Sequence, residues 1–456
     1  MMNIFLNVLR AAGIESEKIT NVTIEGRDPV LPSPFLIGEA GAAALAAVGY
    51  LAAELWFLKT KRQQQVSIDV ANAALVQCSH QYSRVLDGEN KELWSPFSGF
   101  YQTKDNRWIQ FHCNFPHHQQ GVIDLLGCEE NKTAVAEAVK SWQAEPLETM
   151  LSEQGMCAAM VRSTEEWKNH SQAKAIADLP LLEIIKIGES RPEPLPEGQR
   201  PLSGIKALDL TRVVAGPICG RTLAEHGATV MRIASPNLPF ILPLVIDTGH
   251  GKLSAHLDLN KKDEKEKLLQ LIKNADVFSQ AYRPGALANL GFSPQTLAQL
   301  RPGIIYVSLS AYSHQGPWAN RHGYDSLVQS ATGIVHEQTQ GDKPQHLPAQ
   351  SLDYITGFLM AFGTMAALKR RAIEGGSYLV RLSLAQTAEW FKKLGHVGNF
   401  TDCKVPHRDQ IPHLLARTKT GFGLVEHLMP VLKMSETEPH WDRPSVPLGT
   451  DPPRWP

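Results

Sequence analysis

The chain has 456 residues, enough for two domains or one large intertwined one around a sizeable core. Apolar residues make up 43% and charged residues 20%, an ordinary globular balance, and the formal net charge is −1. Near-neutrality excludes a global electrostatic grip on nucleic acid, so any anion must be held locally.

Residues 1–38 read as an N-terminal extension, too polar and too soon acidic for a secretory signal. The stretch GEAGAAALAAVGYLAAELWFL, Gly38 to Leu58, is the one membrane suspect. Alanine drives insertion weakly, and Glu39 and Glu54 would be costly in lipid, so a buried helix and no membrane partner are expected. His112, His117 and His118 cluster without a framing carboxylate and read as loop polarity, so no metal site is predicted. Cys78, Cys113, Cys128, Cys157, Cys219 and Cys403 are scattered, with no CxxC pair or zinc-like spacing. They are expected to be reduced thiols in a cytoplasmic protein.

The segment 187–204 is rich in proline, glycine and charge and reads as a linker. It divides a unit at 39–186 from one at 205–392, with 393–456 left as a C-terminal tail. Beyond the linker the pattern is regular. IKALDL (205–210) predicts a buried strand, PICGRTLAEHG (217–227) a helix closed by glycine, and ATVMRI (228–233) a second strand. A helix over 262–275 leads into DVFSQAY (276–282), and Ser293-Pro294 caps a short helix before the strand GIIYVSLSAY (303–312). Strands alternating with amphipathic helices predict a Rossmann-like α/β fold with a parallel sheet covered on both faces.

An internal repeat stands at a constant offset of 314 residues. The segment from Glu39 aligns without gaps on the segment from Asp353. Leu45, Ala47, Gly49, Ala52, Ala53, Val66 and Ala71 match Leu359, Ala361, Gly363, Ala366, Ala367, Val380 and Ala385. Each copy predicts a small-residue helix, a basic polar turn and a strand. Similarity between two alanine-rich helices is the simpler alternative.

PLSGIKALDLTRVVAGP, LDLN (257–260), AYRPGALANLGFSP, IIYVSLSAYSHQGP, GYDSLVQSATG and DYITGFLMAFGTMAALKRR occur in that order between residues 201 and 392. Together they resemble the family III CoA-transferases, which include the α-methylacyl-CoA racemases. YQTKDNRWIQF (101–111) and STEEWKNHSQAKA (163–175) resemble the family's smaller α+β second domain, here placed first, as in a rearranged or partly duplicated member. The resemblance implies an intertwined architecture, a homodimer or a pseudo-dimeric monomer, and acyl-CoA and a small carboxylic acid as partners. It implies no permanently bound cofactor, coenzyme A being substrate.

The turn 211–217 joins a strand to a helix N-terminus, where free N–H groups and the dipole favour phosphate, although a mere tight turn has the same pattern. By resemblance, CoA-contacting positions fall at Val214, Ala215, Leu257, Asp258, Leu259, Asn260, Ala281, Tyr282, Arg283, His322, Gly323 and Tyr324. The chain departs from the family at Ala234 and Ser235, where an acidic and a basic residue are expected, at Asn289 for an arginine and at Ala281 for an asparagine. The family's nucleophilic aspartate falls on Asp353, which could also serve as a helix N-cap. The racemases' Gly-His-Asp motif reads Gly323-Tyr324-Asp325, so the histidine base is missing and transfer is expected over racemisation. A catalytically degenerate acyl-CoA-binding protein is the alternative from another class. A nicotinamide-dependent enzyme is disfavoured because no GxGxxG follows IKALDL.

Overall fold

The computed structural model describes residues 1–15 and 19–456; residues 16–18, within the N-terminal extension, lie outside the described residues. Its largest sheet has seven strands in the spatial order Lys252–His256, Thr229–Ala234, Lys206–Leu210, Val277–Gln280, Ile305–Ser310, Ser377–Ser383, Glu183–Gly188. The first six are parallel neighbours and the last pairs antiparallel with Ser377–Ser383. Their interiors are rich in valine, isoleucine and leucine because helices cover both faces. In chain order the six parallel strands run 3-2-1-4-5-6, the doubly wound arrangement, and the order reverses between Lys206–Leu210 and Val277–Gln280. A crevice opens there, outside the carboxyl ends of the two strands.

A smaller α+β unit precedes this sheet. Strands Gly99–Gln102, Trp108–Phe111 and Ala158–Met160 form an antiparallel sheet covered by helices Pro116–Leu126, Lys132–Val139 and Ala144–Glu153. It has its own core, including Tyr101, Phe111, Val122, Val135 and Leu147.

Two helices of 24 residues each, Ile37–Thr60 and Ser351–Glu374, pack on one another and are joined at their ends by Lys369 Nζ to Glu54 Oε2, 2.7 Å. Both are apolar and long enough to cross a membrane, yet most of the first and all of the second's apolar window are enclosed by protein. Each leads into a strand with one parallel and one antiparallel neighbour. Val66 faces Val22 and Met434, while Val380 faces Val307 and Ile184. Each strand then feeds a helix capped by its last residue: Asp69 accepts from Asn72 N–H and Ser383 from Gln386 N–H.

Residues after 393, expected as a tail, are built into the body. Strands Leu415–Thr420 and Gly423–Leu428 pair with each other, the second also with Arg84–Val85, and Lys433–Met434 pairs with Val66–Asp69. The segment 187–204 starts inside the edge strand and is held further on by Glu193, whose carboxylate accepts from Arg301 at 2.6 Å. The six cysteines are all free thiols.

Candidate active site

The turn 211–217 crosses the crevice floor. Val213 has φ 70°, a left-handed conformation that costs a β-branched residue on the order of 1–3 kcal/mol, so the surrounding contacts must hold it. They do so from below. Asp209, at the end of its strand, accepts from Thr211 N–H at 3.1 Å and from Lys252 Nζ at 2.6 Å, and Lys252 also donates to Pro217 O at 2.7 Å. Burial pulls the Lys252 ammonium down to about 8, and the Asp209 carboxylate opposes that pull. The helix Ala215–Glu225 begins directly beyond, with Val214 at its N-cap and no side-chain cap.

Asp353 lies in the first turn of the second long helix and is only 7% exposed. Asp353 does not cap that helix. Asp325 does, its carboxylate accepting from Asp353 N–H at 2.9 Å, from Leu352 N–H and from the Gln329 side-chain amide. The Asp353 carboxyl is thereby left free, and it accepts instead from the Ala215 N–H at the start of the facing helix. Gly357 makes this approach possible, because a Cβ there would lie 2.6 Å from Ala215 O. Burial, and next the Asp325 charge, push the Asp353 carboxyl well above the usual carboxylate range, while the Ala215 N–H pulls the other way. Asp325 is pushed up to about 6 by burial, against the N–H groups it accepts.

Asp353 opens into a cleft of about 440 Å³. Of the expected contact positions, Val214, Ala215, Ala281, Tyr282, Arg283, His322, Gly323 and Tyr324 all line it together with Asp353. Leu257, Asp258, Leu259 and Asn260 do not. Their turn follows the edge strand Lys252–His256, two strands from the point where the sheet order reverses. Leu257 is buried in the core, Leu259 packs against it, and Asp258 accepts from Asn260 N–H at 3.1 Å and Asn237 Nδ2 at 3.0 Å.

The lining also includes aromatic and cationic residues that the sequence reading does not assign to it: Phe115, His117 and His118 from the small unit, with Arg212 and Arg321. Arg212 sits within the turn motif and was open to recognition as a local cation; its guanidinium lies 5.2 Å from the Phe115 ring. The histidines reach the cleft only because the small unit folds over it, which no local signal announces. Tyr324 stacks on His112 with ring centroids 4.1 Å apart, and burial pushes its phenol well above 10. A phenol so placed cannot act as the second base that a racemase needs.

Residues 19–179 and 202–422 match the sequence profile of CoA-transferase family III. Acetyl-coenzyme A transferase nodX of Hypoxylon pulicicidum is 28% identical over 381 residues, covering 72% of this chain and 64% of that protein. An acyl-CoA transferase of Gibberella moniliformis is 29% identical over 415 residues, 80% of this chain and 72% of that protein. A formyl-CoA:oxalate CoA-transferase of Escherichia coli is 30% identical over 197 residues, 40% of this chain and 47% of that protein. The chain therefore spans only part of the length of each relative. With the profile matched over most of its residues, the chain belongs to CoA-transferase family III.

Proposed function

We propose that this protein moves coenzyme A between carboxylic acids and that Asp353 is the nucleophile. The observation that carries the reading is the Asp353 carboxyl itself, released from capping duty by Asp325 and aimed into the crevice beside the Ala215 N–H. Acyl-CoA enters with its nucleotide toward Tyr282, a flat apolar surface for adenine, and Arg283 and Arg212, cations for phosphate.

A carboxylate oxygen of Asp353 attacks the thioester carbonyl, the C–S bond breaks, and the CoA thiolate leaves an acyl-aspartyl anhydride. The thiolate then attacks the Asp353 carbonyl carbon. The donor acid departs as a carboxylate and an aspartyl-CoA thioester remains. An acceptor carboxylate runs the same two steps in reverse, restoring Asp353 and yielding the new acyl-CoA. The near-complete burial of Asp353 excludes the water that would hydrolyse either intermediate.

The test is thioester exchange with a panel of acyl-CoAs and free acids. Asp353→Ala should lower exchange by at least about a thousandfold while CoA binding stays within about tenfold. Hydroxylamine with acyl-CoA should modify Asp353. Near-normal turnover in the alanine variant would remove Asp353 from its role. A second reading, an acyl-CoA-binding protein without turnover, is favoured by one observation: the turn 257–260 spends its polar groups on itself. Binding by the unmodified protein without exchange would select it.

A further inference from the structure

We propose that His118, Cys157 and His322 form a binding site for a zinc-class transition metal ion. One ligand atom from each lies within 4.8 Å of the other two. His118 comes from the helix Pro116–Leu126, Cys157 directly precedes the strand Ala158–Met160, and His322 lies in the loop before Asp325. Two imidazoles and one thiolate with a fourth position open suit zinc, and tetrahedral bonds of about 2.0 Å to nitrogen and 2.3 Å to sulfur separate those atoms by about 3.6 Å. His118 Nε2 and Cys157 Sγ are 3.6 Å apart.

His118 is only 2% exposed and turns Nε2, not its unpartnered Nδ1, toward Cys157 Sγ. The His322 ring hydrogen-bonds the Gly155 backbone, which orients it and leaves its other nitrogen free, as outer-shell carbonyls do for metal-bound histidines. A metal takes the neutral imidazoles and the thiolate, and Arg321 and Arg283 stand near Cys157. Those arginines, with Arg212 and His117 beside His118, oppose a dication; the thiolate offsets one charge. Binding must release the thiol proton, so affinity rises with pH. The ion would tie the small unit to the loop carrying His322, at the wall of the cleft. His118 and His322 also line the cleft, so the ion would share that wall with whatever the cleft binds.

The experiment titrates the reduced, metal-free full-length protein with Co²⁺ and then Zn²⁺. One cobalt per chain should produce a sulfur-to-cobalt charge-transfer band in the near ultraviolet, and zinc should displace it. Cys157→Ala should abolish the band. His322→Ala, at a partly exposed ring, should weaken binding by at least about tenfold, the scale that even outer-shell changes reach. Circular dichroism checks that both variants are folded, and if Cys157→Ala is not, His322→Ala decides alone. Absence of the band in the unmodified protein would overturn the proposal. A band that survives in a folded variant with unchanged affinity would overturn it too.

Discussion

Asp353 and Asp325 are two carboxyls that meet at one helix end, and after burial it is the Asp325 charge that makes Asp353 harder to ionise. For Asp353 the reactive form is the carboxylate, and its folded-state pKa is raised. Exchange should therefore be slow at low pH and increase as pH rises through that pKa, and a pH–rate profile reads this limb. Asp325→Asn removes the neighbouring charge but keeps an amide oxygen for the Asp353 N–H, so the limb should move to lower pH. An unmoved limb would mean that the two carboxyls do not feel one another. The same perturbation acts on stability. Between the unfolded and folded pKa the folded protein holds the extra proton, so stability falls as pH rises through that window. Asp353→Asn should accordingly be more stable than the unmodified protein above the window, by about 1.4 kcal/mol for every tenfold that folding weakens the acid. Urea unfolding at several pH values measures the difference. Tyr324 gives a third expectation at this scale: a 2-methylacyl-CoA in heavy water should take up no deuterium at its α-carbon. Rapid uptake that disappears in Asp353→Ala would restore a racemase reading.

The two long helices share more than length. A Cβ on Gly49 would fall 2.5 Å from Val66 Cγ1, and one on Gly363 would fall 2.7 Å from Val380 Cγ1, so each helix leans on its following strand at the same place. Their starts are also built alike. Asp28 accepts from Gly38 and Glu39 N–H at 3.1 and 2.7 Å, as Asp325 accepts from Leu352 and Asp353. The two helices therefore start on the same kind of cap, a carboxylate from an earlier loop or helix accepting from two first-turn N–H groups. Glu39 does not line the cleft, and its carboxylate accepts from Asp28 N–H at 3.4 Å. Gly363→Ala should cost about 1–3 kcal/mol from overpacking, and combining it with Val380→Ala should recover part of that loss in a double-mutant cycle. Full additivity would mean that the two residues do not meet.

At the scale of the whole molecule, one buried carboxylate ties the small unit to the rest. Glu148, on the helix Ala144–Glu153, accepts from Arg162 at 2.9 Å and faces Arg321 at 3.3 Å. All three side chains are nearly inaccessible, and the two guanidiniums hold the Glu148 carboxyl below the usual range against its burial. Glu148→Ala would strand two buried cations and should destabilise the protein by about 3–5 kcal/mol in urea unfolding. If the small unit then loosens over the crevice, the KM for acyl-CoA should rise more than kcat falls. A loss of stability below about 1 kcal/mol would show that water reaches the arginines.

The residue order alone determined the alternation of strands and helices after residue 204, and it singled out the turn at 211–217 and Asp353, which line one cleft. These are local or periodic signals: a run of branched residues, small residues before a helix, a motif of contiguous letters. The helices at 37–60 and 351–374 were legible for the same reason, as long runs of small and apolar residues. Only the tertiary structure decided that Asp325, not Asp353, caps the second helix, because that depends on two segments 28 residues apart meeting end to end. It alone left residues 257–260 outside the lining of the cleft, since distance from the reversal of strand order is a property of the sheet and not of the motif. It alone brought His118, Cys157 and His322 together, because the fold sets their proximity across 39 and 165 residues of chain that carry no shared period.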